Sequence, residues 1–428
     1  MEQYLINYLY EHADKPFISK YIDFLKLELD WFIYDYGEQL ASTHSRKRKY
    51  SLKSRLLKEL QKLSVLYGHF NVDENSKNIL SCVASRAFMN SLLEMGYNPI
   101  STILQPVGLK QVIGSREILK LLNYKNEKIS SGKFVDIYNE VFFEQIEACC
   151  HSLLSQCNKY NFHALFLYTD QYFESKMLLD VFKKINRPSF VFSHGLPGIY
   201  SLAVDNRSDY LMVWGEKIKH NYINAGFDKN KIYVVGNSKY DKVLIPRSLR
   251  NSYISDILII PVSSSCIHQH DWHKPLLVDR SMIVLYLYSV QNVLQSLGVK
   301  HARFRPHPSI DKQWVYGFLD HDFYSMDVDN LNASLEKASL VIGATSSVFL
   351  EAIMNGVNYI VYEPHDGKDT LLRGALVPPF DGSDEKVQVA KNENELKYML
   401  QNRYQVDSTI LEDYMQPLDL SILNQLLK

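Results

Sequence analysis

Three short stretches hold side chains able to do acid–base or anion-binding chemistry: Ser193-His194-Gly195-Leu196-Pro197-Gly198, Arg303 to Pro308, and Gly343 to Ser347. In the last of these, Thr345-Ser346-Ser347 stands between an apolar run, Leu340 to Ile342, and a helix expected from about Val348 to Asn355 that carries Glu351. Gly356 then ends the helix and a second apolar run, Tyr359 to Tyr362, follows. Small hydroxyl residues and open backbone N–H groups at such a turn bind phosphate or another anion, although Ser and Thr also cap helices that bind nothing. In the Arg303 stretch, Pro306 and Pro308 restrain the backbone on either side of His307, which presents the imidazole at a strand end. Arg303 and Arg305 alternate onto one face of that strand, where they serve an anion or, equally, the protein's own carboxylates. The spacing between His307 and Ser346 leaves room for one β/α unit, so both turns can share one sheet edge. That pairing favours phosphate binding over a plain cap.

The first half of the chain supplies candidates for proton transfer. Asp170 follows an apolar run, Ala164 to Tyr168, and is a general base or nucleophile by position, or else the N-cap of the next helix. His194 is the competing base, with Gly195 and Gly198 letting backbone approach a ligand, unless the turn merely holds a buried histidine. Glu174 is placed to orient either. Gly236-Asn237 ends another strand and adds a glycine turn. Ser263-Ser264-Ser265 begins a polar loop, and His268, His270 and His273 follow it without the regular spacing of a metal site. Asp327-Val328-Asp329 is formally a DxD, but it lies in a polar stretch before a helix.

Stepping from these residues to their supports, short apolar runs alternate with helical patterns from Ile79 onward, the signature of α/β sheets. Strands are expected at Ile79–Ala84, Ala164–Tyr168, Phe190–Phe192, Tyr210–Trp214 and Ile232–Val235. Helices are expected at Phe88–Met95, Phe143–Lys159 and Tyr172–Lys184. The polar segment Pro246 to Ser255 breaks the pattern before a fresh strand at Ile257–Pro261, a helix from about Val278 to Leu297 and a strand at His301–Arg305. The expected division is a helical region 1–75, α/β domains 76–248 and 249–405, and a terminal segment 406–428. In the last, Leu418, Ile422, Leu423, Leu426 and Leu427 make one apolar helix face that must pack on something. Ligands in open α/β sheets bind at the C-terminal strand ends, which makes Asp170, His194, Gly215 and Gly236-Asn237 candidates for one shared cleft.

Composition sets the bounds. The 428 residues suffice for two or three domains, and 46% hydrophobic content supplies cores for them. Lys plus Arg, 47, balances Asp plus Glu, 48, which argues against a nucleic-acid partner. Cys82, Cys149, Cys150, Cys157 and Cys266 show no paired spacing, as expected of a reducing cytoplasm without structural zinc. The first residues lack the pattern of a signal peptide, and no uncharged run is long enough for a membrane span. A basic cluster from Arg46 to Lys62 is a solvated helix face or a peripheral contact with the inner face of the cytoplasmic membrane.

Taken together, His-Gly in the first half, Arg305-Pro306-His307-Pro308, and Thr345-Ser346-Ser347 followed by Glu351 resemble the GT-B glycosyltransferases of bacterial surface polysaccharide synthesis. The resemblance is to CMP-sugar users, the sialyl- and polysialyltransferases with their His-Pro and Ser-Ser motifs and the transferases of Kdo and other nonulosonic acids. It spans roughly Asn78 to Lys428. It implies two Rossmann-like domains facing a cleft, with a C-terminal helix crossing back to the first. It further implies that His307, Pro308, Ser346 and Ser347 contact the cytidylate phosphate, with Thr345, Ser263, Ser264 and Arg305 around them and Glu351 at the ribose or the loop. The implied activity is metal-independent transfer of a 2-keto acid sugar, with no cofactor beyond the CMP-sugar donor, onto a capsule or lipopolysaccharide glycan or glycolipid. Asp170 or His194 would complete the chemistry. Two alternatives stay open: a CDP-glycerol-type polyol-phosphate transferase, and a non-catalytic nucleotide-binding subunit of polysaccharide assembly.

Overall fold

A computed structural model describes Asp14 and residues 72–427, apart from 84, 106–110, 132–139, 171, 203–206, 240–248, 251–253, 262–280, 308–311, 367–368 and 371–375. The expected N-terminal helices and the basic cluster Arg46 to Lys62 therefore lie outside the described residues. So do Ser263, Ser264, Ser265, Cys266, the three histidines after them, and Pro308.

Two parallel sheets organise the chain. The first contains β1 (Lys77–Ser81), β2 (Tyr97–Thr102), β3 (Val112–Ile113), β4 (Phe162–Leu167), β5 (Ser189–Phe192), β6 (Tyr210–Val213) and β7 (Ile232–Val234), in the spatial order β3-β2-β1-β4-β5-β6-β7. The second contains β8 (Ile257–Ile260), β9 (Ala302–Phe304), β10 (Tyr324–Met326), β11 (Leu340–Gly343) and β12 (Asn358–Tyr362). A small antiparallel pair, β13 (His365–Asp366) and β14 (Asp369–Thr370), precedes its last strand, β15 (Val389–Ala390). The order there is β10-β9-β8-β11-β12-β15. Helices connect the strands, among them Arg86–Glu94, Glu140–Lys159, Phe173–Lys184 and Ser281–Ser296. This is the expected α/β class with two Rossmann-like sheets. Every residue of Ile257–Ile260 and Leu340–Gly343 is buried, as parallel strands covered on both faces must be. In each sheet the chain winds outward one way and then the other, so the order reverses between β1 and β4 and between β8 and β11. Such reversals open a crevice at the C-terminal strand ends.

Some elements escaped the sequence pattern for physical reasons. Pro99 sits inside β2, where a proline normally argues against a central strand. The register pairs Pro99 with Ile79 of β1, whereas β3 pairs only with Ser101 and Thr102. The missing N–H thus falls on the side where no ladder is interrupted. Strands β3, β10 and β15 are too short for any periodicity.

The end of the chain also differs from a single amphipathic helix. After the helix Glu393–Gln401 come two short helical pieces, Ile410–Tyr414 and Leu423–Leu426, with an extended strap between them. Pro417 disfavours helix in the residue before it, which breaks the run. The strap crosses the ends of β6 and β7. Gln416 N–H donates to the Trp214 carbonyl at 2.9 Å, Asn237 N–H to the Gln416 carbonyl at 3.0 Å, and Asp419 N–H to the Val235 carbonyl at 2.9 Å. Leu420 and Leu423 then enter the apolar cluster of Ile79, Phe88, Phe166 and Phe192 on the first sheet. Among the described residues no helix is long and apolar enough to cross a membrane.

Gly236 has φ +78°, and a Cβ there would stand 2.0 Å from the Pro417 carbonyl oxygen. What this glycine admits is the chain's own strap. Gly236→Ala should therefore destabilise the protein by roughly 1–3 kcal/mol, read as a lowered urea midpoint.

Candidate functional site

At the end of β11 the polypeptide turns through Ala344 to Ser347 into the seven-residue helix Val348–Met354. Two buried groups hold this turn. The Thr345 N–H and Oγ1 both donate to Glu363 Oε1, at 2.6 and 2.7 Å, and the Tyr359 hydroxyl donates to the Ala344 carbonyl at 2.6 Å. Glu363 is fully buried just beyond β12, so the Thr345 hydroxyl serves the scaffold. Ser346 and Ser347 are half-buried at the accessible side of the turn. Ser346 Oγ accepts from Val348 N–H at 3.2 Å, whereas Ser347, at φ −62° and ψ −19°, makes no capping hydrogen bond with its side chain. Its hydroxyl is thereby left to the cleft.

His307 lies exposed beyond the end of β9, with β8 between it and β11. Two inter-strand spacings separate the two strands, on the order of 10 Å. Arg305, expected beside the phosphate, is engaged elsewhere. Its Nη1 donates to the Asp329 carbonyl at 2.7 Å and to Ser334 Oγ at 3.1 Å, and lies 3.5 Å from Asp327 Oδ2. Arg303 pairs with Asp256 at 2.7 Å and with Asp327 at 3.5 Å. Strand alternation puts both guanidinium groups over these acidic partners, so the self-pairing reading describes them. The same contacts absorb Asp327 of the formal DxD.

On the first sheet, His194 follows β5. Its Nδ1 is 3.3 Å from the Tyr168 carbonyl, which can only accept, so Nδ1 carries the proton and Nε2 keeps a lone pair. The residue keeps an exposed face, yet enough protein surrounds the ring for desolvation to push its pKa below 6.5. The Tyr168 hydrogen bond opposes that shift, and the positive charge of Lys239 adds to it. Trp214 Nε1 donates to the Ser193 carbonyl at 2.7 Å and so steadies the backbone next to the imidazole. Asp170 is placed differently. It is fully buried, and Oδ2 accepts from the Arg207 and Ser208 N–H groups at 2.7 and 3.2 Å, tying its carboxylate to the loop that enters β6. Glu174 pairs with Lys125 at 2.7 Å and orients neither candidate base by any described contact.

The two sheet edges meet at this point. A Cβ placed on Gly195 would lie 3.4 Å from Ser347 Oγ, so the histidine-bearing turn abuts the serine turn. Beside it, Lys239 Nζ is 3.6 Å from Glu351 Oε1 on the helix that Ser347 begins. Lys239 and Glu363 were not singled out from the sequence. Each follows a strand end, after Gly236-Asn237-Ser238 and after Tyr359 to Tyr362, and that position is the signal they carried. The buried thiols are remote from such chemistry, since burial pushes Cys82 and Cys157 up to about 12. A cavity of about 570 Å³ opens near the starts of β5 and β6, lined by Lys183, Arg187, Arg207 and Asp209, and none of the candidate residues borders it.

No family model and no curated protein matches this chain. Among solved structures, a protein of Listeria monocytogenes assigned as a UDP-N-acetylglucosamine 2-epimerase is similar with a TM-score of 0.48 and 12% identity, covering 82% of this chain and 95% of that one. The Methanocaldococcus jannaschii UDP-GlcNAc 2-epimerase in complex with UDP-GlcNAc and UDP gives 0.46 and 15%, over 80% and 95% of the two chains. The lipopolysaccharide outer core galactosyltransferase WaaB gives 0.43 and 9%, over 82% and 97%. Likenesses this remote say nothing of the chemistry, which must come from the side chains themselves.

Two outcomes follow from the site. His194 should titrate below 6.5 in a pH series followed by its ring proton resonances, because the fold favours the neutral form, and the imidazole becomes protonated only as the pH falls through that lowered value. Glu363→Ala strands the buried Thr345 N–H and hydroxyl and should cost about 1–3 kcal/mol, measured by denaturant unfolding.

Proposed function

We propose that this chain is a nucleotide-sugar-dependent glycosyltransferase that moves a 2-keto acid sugar from a CMP-linked donor to a glycan acceptor of a capsule or lipopolysaccharide. The observation that carries the reading is the apposition of Gly195 and Ser347, which brings the turn bearing His194 against the turn bearing Ser346 and Ser347. In the reaction His194 Nε2 takes the proton of an acceptor hydroxyl. The hydroxyl oxygen bonds to the anomeric carbon, and the anomeric C–O bond breaks with its electron pair going to the phosphate. Charge developing on that phosphate is stabilised by donors such as Ser346, Ser347 and His307, which act most where charge appears in the transition state. A nucleoside monophosphate leaving group held this way requires no metal. A base that attacks through the acceptor gives inversion at the anomeric carbon. Asp170, enclosed and bound to main-chain amides, supports the loop entering β6 in this reading, which leaves His194 as the base.

Thermal shift with CMP, CDP and UDP offered separately tests the donor, because a ligand that binds the native state raises apparent stability by mass action. CMP should raise Tm. A shift with UDP and none with CMP would overturn the CMP assignment, and a shift with CDP alone would favour polyol-phosphate transfer. His194→Ala should lower kcat by about 10²–10⁴-fold with nucleotide binding retained; unchanged turnover would remove His194 from the chemistry.

A further inference from the structure

A leaving phosphate gathers negative charge, and the cleft needs a cation to meet it. The arginines that the sequence offers are bound to Asp256, Asp327, Ser334 and the Asp329 carbonyl. Lys239 is placed otherwise. Its ammonium lies 3.6 Å from Glu351, on the helix that begins at Ser347, and its charge is felt at His194. Its backbone is fixed: the Lys239 N–H donates to Asn237 Oδ1 at 2.9 Å, and Asn237 is fully buried with its own N–H on the strap at Gln416. The side chain, by contrast, is half exposed. The pairs Lys125–Glu174 and Lys386–Asp413 close to 2.7 Å, the length of a charge-assisted hydrogen bond, and Lys239–Glu351 does not. The carboxylate of the pair is nearly enclosed, at 8% exposure, while the lysine side chain has 49%. An anchored backbone with an accessible ammonium at a long ion-pair distance suits the exchange of one anion for another.

We propose that Lys239 is the phosphate-binding cation of the cleft and that Glu351 competes with the phosphate for it. This rests on the phosphate reading of the Ser346-Ser347 turn, and it assigns Glu351 a role different from a ribose contact. The ammonium moves between the Glu351 carboxylate and a phosphate oxygen of a ligand seated against Ser347. Lys239 is then a ligand-binding residue contributed by the first sheet to a group held by the second, so phosphate binding also bridges the two sheets. No bond is made or broken in the exchange.

Isothermal titration of the full chain with CMP and, separately, inorganic pyrophosphate tests this. K239M should weaken both ligands by about tenfold or more, the loss of one charge-assisted hydrogen bond. K239R should recover much of that loss. E351Q should tighten pyrophosphate, which has no ribose to contact, and the gain should vanish when E351Q is combined with K239M. Unchanged affinities in K239M would overturn the proposal, as would an E351Q gain of equal size in both backgrounds, which would mean simple repulsion by Glu351. Weakening of pyrophosphate by E351Q would overturn the competition. Wild-type binding of pyrophosphate but of neither CMP, CDP nor UDP would sink the proposed function while leaving the Lys239 assignment standing. CMP binding untouched by K239M would do the reverse, and a wild-type chain that binds no phosphate ligand removes both.

Discussion

The crossing of the 416–419 backbone over the ends of β6 and β7 is the constraint on which the rest of the site depends. The chain leaves the first sheet once, between β7 and β8, and a single connection would let two sheets pivot. The return closes the circuit. Its hydrogen bonds to Trp214, Val235 and Asn237 are main-chain bonds, insensitive to side-chain identity, and they are made where the strands present their C-terminal ends. Immediately before the strap, Ile410, Leu411 and Tyr414 join an apolar cluster that contains Trp214 and Ile218 from one half and Phe349 and Leu350 from the other. Directional bonds fix the position of the strap, and the cluster supplies the free energy of burial that holds it there. Gly195 and Ser347 are juxtaposed within the same packed assembly.

Within the cleft, the acidic groups divide by burial. Asp170 and Glu363 are enclosed, and one oxygen of each accepts hydrogen bonds, Asp170 Oδ2 from two main-chain N–H groups and Glu363 Oε1 from the Thr345 N–H and hydroxyl, which offsets part of the cost of burying a carboxylate. They shape the loops that follow β4 and β11. Asp256 and Asp327 neutralise the arginines of β9. Among the described residues, what remains at the surface of the candidate site is an imidazole whose surroundings favour its neutral form, serine hydroxyls, and a lysine paired with the Glu351 carboxylate. That composition suits the anion of the proposed reaction, and the lowered pKa of His194 favours its neutral form.

Much of the architecture was legible in the residues because parallel strands covered on both faces must be apolar throughout. Runs such as Ile257–Ile260 and Leu340–Ile342 admit few other accounts, and the turns after them mark strand ends. The strands missed were those in which burial could not write a pattern: two- and three-residue pieces, and β2, where Pro99 is tolerated only because its pairing on one side stops short. Pro417 could be read as a break in the last helix, but not as the centre of a strap.

For the site, the sequence by itself determined which residue types stand at strand ends, namely His194, His307, Ser346 and Ser347, since order along the chain and the α/β period settle that without any tertiary contact. Only the tertiary structure decided their use. Whether Arg305 faces a ligand or Asp327, whether Asp170 opens to a cleft or to the amides of Arg207 and Ser208, and whether Gly236 admits a substrate or Pro417 depends on what the fold carries to the other side of each group. The same holds for Lys239 and Glu351, which lie more than a hundred residues apart and meet because two sheets are held edge to edge. A side chain's chemistry is local, whereas the partner it acts on is set by packing between segments remote in sequence.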